Sequence, residues 1–293
     1  MAHIAWLGAG MMGAGFVEGL RRRGEAVTVW NRTAAKAIEL ERFGATAVGD
    51  PIDAVRGAKR VHVILSDDAA VDALLDQLVG AIPSDAIVVD HTTTAPRPTA
   101  ARIARCPERG IAYLHAPVFM SPQGCRDGTG LMLVAGPRER YERVADPLRK
   151  MTGDLWYVGE RGDKAAVLKL VGNQMLLFTI AGLGDALALA RSADVEPADA
   201  IEVFAHFNVA AGLQFRGKKL VHGDLRPSFE LSMARKDARL MLETASAGGV
   251  ELAVLPEIAK RMDRFLAAGF GDDDVCVIAT DLPSSTAATS RHK

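Results

Sequence analysis

Short apolar runs alternate with stretches of helical periodicity through the first half of the chain. HIAWLG, EAVTVWN, VHVILS and AIVVDHT read as strands, and the segments between them repeat apolar residues at helical spacing. Such alternation predicts an α/β domain with a doubly wound parallel sheet, because right-handed crossover helices must cover both faces. AYLHAPV and LMLVAG add further strands. The pattern changes near Lys164, where one helix is expected to run to about Ala193, roughly 45 Å at about 1.5 Å per residue. Beyond it, EPADAIEVFAHF, SMARKDARLMLETASAGG and VLPEIAKRMDRFLAAGFG all carry helical periodicity. The expected plan is an α/β domain over residues 1–163, an all-helical domain over 164–283 and a frayed tail over 284–293.

Charge and composition narrow the function. With 35 basic and 36 acidic residues the net charge is -1, which argues against nucleic-acid binding and electrostatic membrane binding. Cys106, Cys125 and Cys276 lack metal or disulfide spacing and read as free thiols in a reducing compartment. The apolar stretch Ile4 to Val17 has basic residues after it rather than before it, unlike a secretion signal. Met175 to Ala190 carries Asp185 and is expected to be a buried helix rather than a membrane span. A cytoplasmic address and small-molecule partners follow as expectations.

The first strand runs into Gly8, Ala9, Gly10, Met11, Met12 and Gly13, which open a helix. In that setting a GxGxxG run predicts a dinucleotide-binding Rossmann fold. Gly8 permits a tight turn, Gly10 lets a pyrophosphate approach, and Gly13 lets helix and strand pack; the helix N-terminus adds N–H groups and dipole. About twenty residues on, the second strand ends in Asn31, Arg32 and Thr33, with Lys36 one turn later. An acidic residue there would suit NAD(H), whereas a cationic end suits a 2′-phosphate, so NADP(H) is favoured over NAD(H).

VLKLVGNQMLLF places Lys169 and Asn173 on one face of the long helix among apolar neighbours. A partly dehydrated lysine has a lowered pKa and can hand a proton to a carbonyl oxygen, which Asn173 could hold in line. Spacing alone equally allows a lysine whose ammonium reaches water at a helix edge. GAGMMG, VWNRT, DHTTTAP, HAPV with GCRDGTG, GERGDKAAVLKLVGNQ and SMARKDARL follow the order found in the β-hydroxyacid dehydrogenase family. The chain resembles that family's 3-hydroxyisobutyrate dehydrogenase-like members from His3 to Leu282. The resemblance implies that Lys169 is catalytic with Asn173 as its partner, that Thr93 lies near the nicotinamide ribose, and that Lys236 and Asp237 close the cofactor side. It also implies a long interdomain helix, a homodimer or higher homo-oligomer, and oxidoreductase action on a β-hydroxy acid, semialdehyde or related carbonyl compound.

One loop departs from the family pattern. Where DAPVSGG is usual, with its serine holding a substrate carboxylate, the chain has Phe119, Met120, Ser121 and Pro122 after HAPV. Either Ser121 and Gln123 rebuild an anion site, or the pocket has become apolar and takes a bulkier substrate. Gly172 replaces a second family asparagine, which removes a polar contact and leaves room. The alternatives carried are an imine reductase-like enzyme, which Lys169 disfavours, and a non-catalytic NADP-binding module. No metal-ligand or nucleophile motif appears. His115 is expected to bond backbone, Asp272 to Asp274 to form a solvated helix start, and Phe207 and Phe215 to pack in a core.

Overall fold

The computed structural model describes residues 3–282, so the segment 284–293 read as a tail lies outside the described residues. The chain divides into two compact units, one ending at Gln174 and the other beginning at Met175.

The first unit is a Rossmann-like α/β domain. Its strands are β1 (His3–Leu7), β2 (Val27–Trp30), β3 (Thr46–Ala47), β4 (Ala58–Val63), β5 (Ile87–Asp90), β6 (Ala112–His115), β7 (Val118–Phe119), β8 (Leu131–Ala135) and β9 (Asp154–Gly159). Helices α1 (Met11–Arg22), α2 (Ala34–Ile38), α3 (Pro51–Val55), α4 (Asp68–Gln77), α5 (Pro96–Arg105), α6 (Pro122–Asp127) and α7 (Arg138–Arg149) connect them. The sheet order β3-β2-β1-β4-β5-β6 is parallel throughout, and the winding reverses between β1 and β4. β8 then joins antiparallel to β6 and to β7, with β9 parallel to β8.

Strand alternation builds the core. Ile4 and Trp6 of β1 enter one apolar cluster, while Ala5 and Leu7 enter the other, so each sheet face is sealed by a period of two. In an open sheet of this order, ligands bind outside the carboxyl ends of the strands where the winding reverses.

Helix α8 (Lys164–Ser192) is 29 residues long and contains the division between the units. The second unit continues with α9 (Pro197–His206), α10 (Val209–Val221), α11 (Leu231–Ala247) and α12 (Leu255–Ala267). Leu231, Ala234, Met262, Phe265 and Phe270 form its core. Asp185 of α8 accepts backbone N–H bonds from Ala253, Val254 and Leu255 at 2.7 to 2.9 Å. It thereby caps the N-terminus of α12, where negative charge suits the dipole.

Three expectations are corrected in this unit. Met175 to Ala190 is not a buried helix within the single chain: Leu176, Leu177, Phe178 and Ile180 are exposed, and only 11% of the most apolar window is buried. Phe207 and Phe215 are likewise exposed, because neither α9 nor α10 buries a residue. Asp274 is fully buried rather than solvated. Burial opposes its charge, but bonds from Ser228 and from the Cys276 N–H hold its carboxyl far below the usual carboxylate range.

Candidate active site

The glycine loop between β1 and α1 has the geometry of a phosphate cradle. Gly8 sits at φ 112°, and a Cβ there would lie 2.0 Å from the Ile64 carbonyl oxygen. At Gly13 an added Cβ would lie 2.0 Å from the Gly8 oxygen, so this glycine is fixed by helix-to-strand packing. Gly10 is different: it is exposed with open space above it. No side chain caps α1, and its first turn holds no acidic residue, which leaves its N–H groups and dipole for an anion.

Asn31 stands at the carboxyl end of β2. Its Oδ1 accepts from the Ala9 N–H and its Nδ2 donates to the Thr33 carbonyl, both at 2.9 Å, so it ties the glycine loop to the second strand. Arg32 and Lys36 follow on the exposed rim. These residues share a cleft of about 740 Å³ in the first unit, lined by Gly10, Met11, Met12, Gly13, Asn31, Arg32, Thr33, Lys36, Thr93, Met120 and Lys169 among others. The structure therefore gathers most of the cofactor residues expected from sequence into one cavity. It also adds Ile64, Leu65 and Ser66 after β4, and His91 after β5. Both segments follow the carboxyl ends of central strands, and that position is the signal that could have identified them.

Lys169 also lines this cleft. It is 8% exposed, its Nζ donates to Asn173 Oδ1 at 2.9 Å, and it sits 4.0 Å from the centroid of the Phe119 ring. Burial lowers its pKa below the ordinary lysine value. The space left by Gly172 is filled by Phe119, whose Cζ would lie 2.4 Å from an added Cβ.

The other loop residues are engaged locally. Ser121 is the N-cap of α6, its Oγ accepting from the Gly124 N–H at 3.0 Å. Gln123 donates to Asp127 and accepts from Arg126. His115 is fully buried, 3.0 Å from the Thr92 carbonyl oxygen, and burial lowers its pKa. Lys236 and Asp237 lie in the second unit on α11, paired with each other at 2.9 Å.

Behind the cleft runs a chain of buried polar groups. Arg60 Nε donates to His62 Nε2 at 3.3 Å, His62 Nδ1 meets His91 Nε2 at 2.9 Å, and His91 Nδ1 meets the Ala116 carbonyl at 2.7 Å. Arginine only donates and a carbonyl only accepts, so both rings must be neutral with hydrogen on Nδ1. Trp6 stacks on both imidazoles. The chain anchors Ala116, at the start of the Phe119 loop, to the sheet.

Comparisons with known proteins agree with this architecture. Residues 3–159 match the family model described as the NAD binding domain of 6-phosphogluconate dehydrogenase. Residues 164–280 match the one described as NAD-binding of NADP-dependent 3-hydroxyisobutyrate dehydrogenase. The 3-sulfolactaldehyde reductase of Escherichia coli (strain K12) is 26% identical, with all of both chains covered. The cytokine-like nuclear factor N-PAC of Anopheles gambiae is 25% identical over 94% of this chain, which spans about half (49%) of that relative's length. An imine reductase from Myxococcus stipitatus, solved in complex with NADP+, superimposes with a TM-score of 0.86 at 21% identity, covering 94% of this chain and 98% of that one. With both of its units matched by such models and a nucleotide cradle built on the first, the chain belongs to the β-hydroxyacid dehydrogenase family, and with it to the NAD(P)-dependent oxidoreductases.

Proposed function

We propose that this enzyme interconverts a small carbonyl compound and its hydroxy counterpart, uses NADP(H) in preference to NAD(H), and employs Lys169 as general acid and base. The observation that carries the reading is a buried amine, tethered to Asn173, opening onto the same cleft as the glycine loop. When bound, the reduced nicotinamide supplies the hydride that reaches the carbonyl carbon. Lys169 gives one proton to the oxygen as the C=O π bond breaks, and the neutral amine left behind recovers a proton from solvent. Oxidation of the hydroxy compound runs these transfers in reverse. Asn173 holds the ammonium through Oδ1 and keeps its Nδ2 donors for the same substrate oxygen.

The cofactor preference rests on the rim. Arg32 can pair with a 2′-phosphate through two parallel bonds, Lys36 adds a second cation, and Thr33 a hydroxyl; all three line the cleft and none is acidic. Thr93 lines the cleft and is taken to lie at the ribose end by family resemblance. A proton-donating lysine supports carbonyl chemistry over imine reduction. Buried, unpaired Cys106, Cys125 and Cys276 support a reducing, cytoplasmic setting.

Replacing Lys169 by alanine tests the assignment. Turnover of a semialdehyde and ketone panel is expected to fall at least a thousandfold, while fluorescence titration still returns near-native affinity for NADPH and weaker affinity for NADH. Retained turnover sinks the role of Lys169; joint loss of turnover and cofactor binding points to a damaged fold instead.

A further inference from the structure

We infer that Phe119 and Gly172 form a matched pair that makes this enzyme select carbonyl compounds with an uncharged, apolar remainder over carboxylated ones. The inference rests on Lys169 being the proton donor.

Neither residue is explained by the element that carries it. A glycine within a 29-residue helix weakens that helix. Phe119 is the second residue of the two-residue strand β7 and packs only partly into the small cluster around Leu133 and Val158. Together they make sense: with any side chain at position 172, a Cβ would lie 2.4 Å from Phe119 Cζ and 2.6 Å from Cε1. The glycine is the space the ring occupies.

The same ring acts on the reacting amine. Its centroid lies 4.0 Å from Lys169 Nζ, and an aromatic face attracts a cation. The ring thus favours the ammonium form that proton donation needs, against the burial that opposes it. It does so without a lone pair that would compete with the substrate oxygen for the proton.

The neighbouring polar side chains are mostly engaged within the loop. Ser121 Oγ is held as the N-cap of α6 by accepting from the Gly124 N–H and keeps only its single O–H to donate, Gln123 lies between Asp127 and Arg126, and Pro122 has no N–H to offer. Both ring nitrogens of His91 are bonded, to His62 and to Ala116. A substrate carboxylate against Val118 and Met120, which line the cleft, would meet no donor on those side chains, and beside Phe119 it would draw the Lys169 ammonium away from the carbonyl oxygen. An alkyl or ester group there gains contact with the same side chains.

The test compares 4-oxobutanoate with its methyl ester, one skeleton with and without the charge, by NADPH oxidation with the full chain. In parallel, the NADP+-loaded protein is titrated calorimetrically with the two corresponding alcohols. The wild type is expected to show kcat/KM at least tenfold higher for the ester, with the alcohols binding in the same order. Phe119→Ser should erase that preference, chiefly through KM, while Phe119→Leu, which keeps the apolar fill, should retain it. A residue that merely packs the fold would shift the melting temperature in both variants and leave the ratio alone. An equal or reversed ratio in the wild type, or an equal loss for both substrates in Phe119→Ser, overturns the inference and leaves the reductase reading standing. Where neither aldehyde turns over, the binding order of the alcohols decides it. NADPH-bound protein that reduces no carbonyl at all overturns the reductase reading and this inference with it.

Discussion

His62 and His91 show what a buried polar pair demands of its surroundings. His91 is 2% exposed and His62 fully buried, and burial holds both below the ordinary histidine pKa of 6.5, His91 at about 4. Both are therefore neutral in the folded protein at pH 7, as the donor-acceptor chain from Arg60 to Ala116 also requires. In the unfolded chain each takes up a proton below about pH 6.5, which the folded protein refuses until lower pH. Stability is thus complete above the unfolded pKa and is lost as pH falls toward the folded one. For His91 alone the loss is about 3 kcal/mol by pH 4, with His62 adding in the same direction. Chemical denaturation at steps between pH 7 and pH 4.5 should show a steep decline that His91→Asn makes shallower; an identical slope in the variant removes the pair from the acid response. These residues also mark a limit of reading from sequence. Arg60 and His62 alternate with Val61 and Val63, so a period-two pattern assigns them to a wet face, yet both are buried, and His62 stacks on Trp6. Phe119 was legible as a departure, but its role depends on Gly172, which is 53 residues away in sequence (172 − 119) and adjacent only in the fold.

At the scale of elements, the loop between β1 and α1 separates two glycines that the sequence motif treats alike. Gly13 faces a backbone oxygen at a distance no Cβ can occupy, whereas Gly10 faces open space. Gly13→Ala must push α1 away from the strand and should destabilise the fold by several kcal/mol, on the order of the overpacking penalties known in tight cores. Gly10→Ala should leave the melting temperature within about two degrees and instead weaken NADPH binding at least tenfold, because its new methyl group would stand where the pyrophosphate approaches. Thermal unfolding and cofactor titration on the two variants separate the effects; equal loss of stability in both would contradict the assigned roles. This loop was readable in advance because motif, strand and helix coincide in sequence. The two-residue β3 and β7, and β9 with its mixture of buried and exposed positions, were not, since strands this short or irregular carry too little periodicity.

For the whole molecule, the decisive feature is the apolar surface that a single chain leaves uncovered. Leu176, Leu177, Phe178 and Ile180 of α8 are all exposed, and so are Phe204, Phe207, Leu213 and Phe215 of the α9 and α10 region. These side chains are already about half buried, so covering five of them would contribute roughly 5 kcal/mol, at about 1 kcal/mol each. By length and mean hydropathy (1.5) α8 could cross a bilayer, but its Asp185 carboxylate is fixed at the N-terminus of α12, which ties one side of the helix to protein. We propose that a second copy of the chain covers this face, in keeping with the oligomer that the family resemblance implies. A net charge of only -1 offers little repulsion against self-association. Sedimentation velocity on the 31.2 kDa chain should give a species of at least twice that mass, and Leu177→Glu with Phe178→Glu should shift it toward the monomer while the first unit still binds NADPH. A wild-type monomer at micromolar concentration that partitions onto liposomes would assign that face to lipid instead, and with it the reason the exposed apolar run Leu176 to Ile180 of α8 exists.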